Sequence, residues 1–199
     1  MNEKFFNLKK EKQDRMLNAA MLVFGENGYK RASTDDIVQE AGISKGLLFH
    51  YFGNKLGVYT FLLDYSVKLY SLELADVLSS DMNDYFSLVR EREKAVCGIL
   101  KTYPAMELFL LRAGREDHPE AAEATRESVE TLKQLNEKLL AKADFSHFKK
   151  EAEPVRIKAM VEYTIQSLLT SELARGTYSP DALFSEIRKY LEMLEKLCY

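Results

Sequence analysis

Apolar residues recur at helical spacing through almost the whole chain, and the breaks in that pattern divide it into segments. From about Lys9 to Asn27, the residues Met16, Leu17, Ala20, Val23 and Phe24 share one face, and Gly28 stops the run. A short helix is predicted from Asp35 to Ala41, with Ser33 and Asp36 at the spacing of a capping box and Gly42 as its end. Ser44 then caps a third helix, Lys45 to Tyr51 or Phe52, before Gly53 and Asn54 interrupt again. From Lys55 to about Ser79 a longer helix carries Val58, Phe61, Leu62, Tyr65, Leu69, Leu72 and Leu74. Further helices are predicted at about 83–102, 105–115, 120–142, 155–175 and 181–197. Four of these five follow or begin near Pro104, Pro119, Pro154 and Pro180, and proline is well tolerated at a helix start. The stretch DFSHFKKEAE is the most loop-like interior segment.

No internal repeat, low-complexity tract or alternating strand pattern interrupts this series, so the predicted fold is all-α. The predicted organisation is an N-terminal three-helix head, residues 1–54, joined to a C-terminal bundle of about six helices, residues 55–199. Composition agrees with long helices: 46 % of the 199 residues are hydrophobic and 30 % charged, with only nine Gly and four Pro.

Charge sharpens the division. The net charge is −3, but residues 1–55 hold nine Lys or Arg against seven Asp or Glu, a balance of +2, and the remainder carries −5. A basic head on an acidic body is the direction expected of a nucleic-acid-binding module. Cys97 and Cys198 form no CxxC pair, and His118 and His147 lack ligand spacing, so neither a metal site nor a cofactor is expected. There is also no Gly-rich phosphate loop and no paired nucleophile and base, and an enzyme is not expected. The N-terminal residues lack a signal-type apolar run, and no stretch approaches eighteen uninterrupted apolar residues, so the expected setting is cytoplasmic without membrane insertion.

Three short helices with a tight glycine turn between the second and third match a helix-turn-helix, whose last helix enters the major groove. Gly42 permits the sharp turn, and Ile37, Val38, Ile43, Leu48 and Phe52 supply the apolar contacts that set the angle between helices. Lys45, Leu47, His50 and Tyr51 are left on the outer face.

The stretch GYKRASTDDIVQEAGISKGLLFHYFGNK resembles the DNA-binding signature of TetR-family transcriptional regulators. Gly28, Tyr29, Ser33, Ile37, Ala41, Gly42, Ile43, Ser44, Gly46, Leu48, Tyr51, Phe52 and Lys55 match it in register. The resemblance implies a DNA-contacting set of Ser33, Thr34, Ser44, Lys45, Gly46, Leu47, Phe49, His50, Tyr51 and Lys55. Within it, Ser33, Ser44, Lys45 and Lys55 would meet phosphates, Gly46 and Leu47 base edges, and His50 and Tyr51 either. The chain departs from the signature where Phe49 replaces the usual Tyr, Ala32 a common Thr, Leu56 a frequent acid and Leu47 a small polar residue. Leu47 is suited to a thymine methyl.

The resemblance further implies a homodimer on a palindromic duplex operator, joined by a four-helix interface from the last two helices. The residues expected there are Ile157, Val161, Ile165, Leu168, Leu169, Leu183, Ile187, Leu191 and Leu194, which form stripes wider than one neighbour requires. It also implies a body cavity for a small apolar or amphipathic ligand, with Phe86, Tyr103, Met106, Phe109, Tyr163 and Gln166 as candidate lining, although plain core packing is the competing assignment for each. The expected function is a repressor released by that ligand; the rival is a ligand-independent DNA-binding protein whose body recruits another protein.

Overall fold

A computed structural model describes residues 3–175 and 179–199. Among the described residues the secondary structure is helical apart from one isolated bridge between Asp84 and Asp144. The chain divides into two compact units, Met1–Leu72 with Thr102–Gln134, and Glu73–Lys101 with Leu135–Tyr199. The head expected at residues 1–54 lies inside the first.

The first unit opens with α1 (Glu3–Phe6), α2 (Lys10–Arg31), α3 (Thr34–Ala41), α4 (Lys45–Phe52) and α5 (Lys55–Glu73). The helical run of α2 is broken at Gly28, whose φ of 69° and ψ of 171° lie outside the helical region, which is the stop expected from sequence. The unit core gathers rings from distant segments. Phe24 meets Tyr59 edge-on at 4.9 Å, and Tyr59 meets Phe109 at 5.5 Å. Gly25 lies where α2 crosses the helix bearing Phe109, and a Cβ there would stand 2.9 Å from Leu108 Cγ and 3.1 Å from the Phe109 nitrogen. Only a glycine admits that approach.

The helix predicted to run to about Ser79 ends earlier. Leu74, 3 % exposed, interrupts it, and α6 (Ala75–Ser79) resumes as a separate turn capped by Lys142, whose amine donates to the carbonyls of Val77, Leu78 and Ser80. Then come α7 (Tyr85–Thr102), α8 (Met106–Ala113), α9 (Pro119–Leu140), α10 (Pro154–Arg175) and α11 (Pro180–Cys198). Asp84 starts α7 by accepting the Ser87 N–H at 2.7 Å, and Ser179 caps α11 through the Ala182 N–H.

In the second unit the expected loop after α9 is indeed non-helical, yet it is not idle. Phe148 stacks on Phe86 at 5.8 Å and meets Tyr199 at 5.3 Å. The Lys149 N–H donates to the Cys198 carbonyl at 2.7 Å, satisfying the end of α11. The consecutive charges Arg92 and Glu93 are also interior to this unit. The Arg92 guanidinium lies 2.6 Å from Glu93 and donates to Asn136 Oδ1 at 2.7 Å, so the buried charge is paired.

Candidate DNA-recognition surface

Local sequence chemistry builds the turn between α3 and α4. Ser33 accepts the Asp35 N–H at 3.1 Å and so caps α3. At the other end Gly42 adopts φ 62° and ψ 44°; its N–H reaches the Gln39 carbonyl at 3.2 Å, and the Ile43 N–H reaches Val38 at 3.0 Å. That pair of bonds is a Schellman closure, which the left-handed glycine makes inexpensive. Ser44 restarts the chain by accepting the Leu47 N–H at 3.2 Å. Ile37, Ala41 and Leu48 are buried on the inner side and hold the two helices at their angle.

The outer side carries the expected residues. Ser44, Lys45, Gly46 and His50 are exposed, and Ser33, Thr34, Leu47, Phe49, Tyr51 and Lys55 are half-buried. Two of the cations are already engaged within the protein. The Lys45 amine donates to both oxygens of Asp35, at 2.9 and 3.0 Å. The Lys55 amine lies 4.6 Å above the Tyr29 ring and reaches the Lys30 carbonyl at 3.4 Å. Burial holds the Lys55 pKa below its ordinary value, with Glu116 opposing the shift. A phosphate drawn to Lys45 would have to displace Asp35.

Phe5 supports this surface from beneath, a role that periodicity did not reveal. It is fully buried, and its ring meets Phe52 at 5.2 Å, Phe61 at 5.1 Å and Tyr51 at 5.8 Å. The short helix α1 therefore wedges an aromatic beneath α4, and Gln13 secures it by donating to the carbonyls of Phe6 and Leu8 at 3.1 and 2.8 Å. The only sequence signal was a Phe5-Phe6 pair within a polar leader.

The two expected groups of body residues are placed as follows. Of the dimer candidates, Val161, Leu169, Leu183, Ile187, Leu191 and Leu194 are buried within the single chain, while Ile157, Ile165 and Leu168 are half-buried. The inner stripes of α10 and α11 close the intrachain core, and the exposed large apolar residues among those described are Val155, Met160 and Tyr163 on α10 with Tyr190, Met193 and Leu197 on α11. Helical spacing places residues on a common face without saying which face turns inward.

Of the ligand-lining candidates, Tyr103, Met106 and Phe109 belong to the first unit and Phe86, Tyr163 and Gln166 to the second. Tyr163 is 69 % exposed and lines no interior. The Tyr103 hydroxyl is already taken up: it donates to Asp14 at 2.7 Å, receives the Lys10 amine at 2.8 Å and lies 2.6 Å from the Tyr65 hydroxyl. Burial, then Tyr65 and Asp14, raise its pKa above that of an ordinary tyrosine.

Comparison with known proteins bears on this geometry. The family model "Bacterial regulatory proteins, tetR family" matches residues 16–59. The HTH-type transcriptional activator FasR of Mycolicibacterium smegmatis is 40 % identical over 53 residues, 27 % of this chain and 24 % of that protein, so the match spans about a quarter of that relative's length. A TetR family transcriptional regulator from Chloroflexus aurantiacus J-10-FL superposes with a TM-score of 0.61 at 22 % identity, over 98 % of this chain and 94 % of its own. The transcriptional regulator FadR from Bacillus subtilis, in complex with stearoyl-CoA, does so with a TM-score of 0.51 at 17 % identity, over 89 % of this chain and 96 % of its own. Residues 16–59 thus match the tetR family of bacterial regulatory proteins, and the chain that carries them has the all-α fold of the TetR-family transcriptional regulators.

Proposed function

We propose that the protein binds a palindromic duplex operator as a homodimer, inserting α4 of each head into a major groove, and that it acts as a repressor. The observation that carries this reading is the exposed edge of α4. Ser44, Lys45, Gly46 and His50 stand clear of the core, on a helix whose position is set by the buried Leu48 and by the closure at Gly42. Phosphate contacts would position the head, and Gly46, Leu47, His50 and Tyr51 would read bases. Residues 1–54 are the DNA-binding part in this reading, and residues 55–199 serve dimerisation and ligand response.

The outer stripes of α10 and α11 support the dimer. Met160, Tyr163, Tyr190, Met193 and Leu197 expose large apolar side chains on two packed helices, and such a face is suited to a two-fold partner. For the ligand we propose an amphipathic acyl thioester of the stearoyl-CoA kind, on the analogy of the Bacillus subtilis regulator. It would act by binding one arrangement of the two heads better than the other, and a coupling of about 1–3 kcal/mol gives roughly a 5- to 150-fold response.

Selection of bound DNA from a random pool at two salt concentrations tests the first part. The expected result is one enriched inverted repeat that survives the higher salt, and enrichment of no sequence overturns the reading. Titration of the operator complex with stearoyl-CoA, against coenzyme A alone, tests the second. Release by the thioester only is expected; unchanged or increased occupancy refutes ligand release.

A further inference from the structure

The break at Gly28 brings the last turn of α2 against a segment from far along the chain. The Tyr29 N–H donates to Glu116 Oε2 at 2.9 Å, while Glu116 Oε1 accepts the His118 N–H at 3.0 Å. One carboxylate therefore ties the linker between α8 and α9 to the residue that leads into α3. Burial, then the carboxylate of Glu120 in the first turn of α9, raises the pKa of the Tyr29 hydroxyl above its ordinary value. The Tyr29 ring in turn meets Tyr59 of α5 and His118, each at 5.1 Å between centroids, and carries the Lys55 amine 4.6 Å above it.

Tyr29 is thus held at its backbone and at its ring. The two ends of the helix-turn-helix are referred to this one residue: α3 begins five positions after it, and α5 begins with Lys55. Glu116 also attracts the Lys55 ammonium, which lies over the ring it secures. A displacement of the linker would therefore be felt at both flanks of the recognition surface together.

Resting on the DNA-binding function proposed above, we infer that Glu116 is a positioning residue for operator binding: by holding Tyr29 it sets both the chain that leads into α3 and the ammonium of Lys55. A half-buried carboxylate that only stabilised the fold would have no specific link to Lys55. The link is what separates the two roles.

The test uses the operator selected by the full-length wild-type protein and a double-mutant cycle on its affinity at fixed salt. Glu116→Gln keeps a carbonyl oxygen for the Tyr29 N–H but loses the second acceptor that takes the His118 N–H and the charge that attracts Lys55, so it is expected to fall between wild type and Glu116→Ala, about threefold below wild type. Glu116→Ala is expected to lose about tenfold with unchanged helicity, the size of effect a half-buried hydrogen bond to a charged group supports. Lys55→Ala is expected to weaken binding across sequences and to reduce the salt slope by about one per head. In the Lys55→Ala background, Glu116→Ala is expected to add less than about threefold, because the two act through one contact. Wild-type affinity in Glu116→Ala, losses that multiply independently, or failure of Glu116→Gln to rescue would each overturn the inference. Wild-type protein that enriches no DNA would instead sink the DNA-binding reading before any variant is compared.

Discussion

Phe5→Ala isolates the contribution of the N-terminal wedge. The wild-type ring is fully buried and packs against Phe6, Tyr51, Phe52 and Phe61, with centroids 5.1 to 5.8 Å away. Truncating a phenylalanine in a rigid core costs about 3–5 kcal/mol, from lost transfer energy and the cavity left behind. Here the four-residue α1 can peel away once its anchor is gone, so the loss is limited to what docks the arm. That amounts to the burial of one large apolar side chain and the two bonds from Gln13, about 2–3 kcal/mol in total. For a chain of this size each kcal/mol lowers the midpoint by about 2–4 °C, so a fall of about 4–12 °C is expected at fixed protein concentration. Thermal denaturation followed by circular dichroism measures it, with Phe6→Ala as the control, since Phe6 is 38 % exposed and its truncation is expected to cost about 1 kcal/mol or less. Equal midpoints for the two variants would refute the argument that Phe5 anchors the arm beneath α4.

Asp35→Asn frees Lys45 and removes a negative charge from the DNA face. An exposed ion pair is worth about 0.2–1 kcal/mol, so operator affinity should rise by up to about fivefold at low salt and converge on wild type at high salt, and unchanged binding counts against the competition described. Tyr163→Asp with Met193→Asp should leave a folded monomer in sedimentation equilibrium and abolish operator binding; a persisting dimer would place self-association elsewhere. Glu93→Ala leaves the Arg92 guanidinium with Asn136 and the more distant Glu162, and a loss of about 1.5–3 kcal/mol, that of a hydrogen bond to a charged group, is expected in denaturant unfolding; a loss below about 1 kcal/mol would show the pair to be solvated. Burial raises the pKa of Tyr59 and Tyr85 above the ordinary 10.0, so the folded state holds these protons more tightly than the unfolded chain. Their contribution is complete below about pH 10 and is lost as pH rises above it. Phenolate absorbance from them should therefore appear only with unfolding, and titration in the folded protein refutes their burial.

The head was legible because its punctuation is local. Ser33, Gly42 and Ser44 act on backbone groups within a few residues, so their types and spacing predict caps and a turn that the structure reproduces. Gly28 belongs to the same class. What escaped depends on partners far away in sequence. Nothing near Phe5 predicts that it lies under α4, and nothing near Asp35 indicates that its carboxylate holds Lys45. The last two helices show an intermediate case. Their stripes were visible, but Leu183, Ile187, Leu191 and Leu194 turned out to serve the intrachain core, leaving Tyr190, Met193 and Leu197 outside. Periodicity fixes relative angle around a helix axis and carries no information on which neighbour arrives first. Leu74 is similar: an apolar residue in helical register breaks α5 from α6 without any breaker in the local sequence.

The contact at Gly25 has a mechanical consequence. With Leu108 and the Phe109 backbone pressed against a position that has no room for a methyl group, α2 and α8 have no slack along their shared line. A push on α8 cannot be absorbed by side-chain rearrangement at that crossing. It is met directly by the α2 backbone, so the two helices are coupled at that crossing, three residues before the break at Gly28.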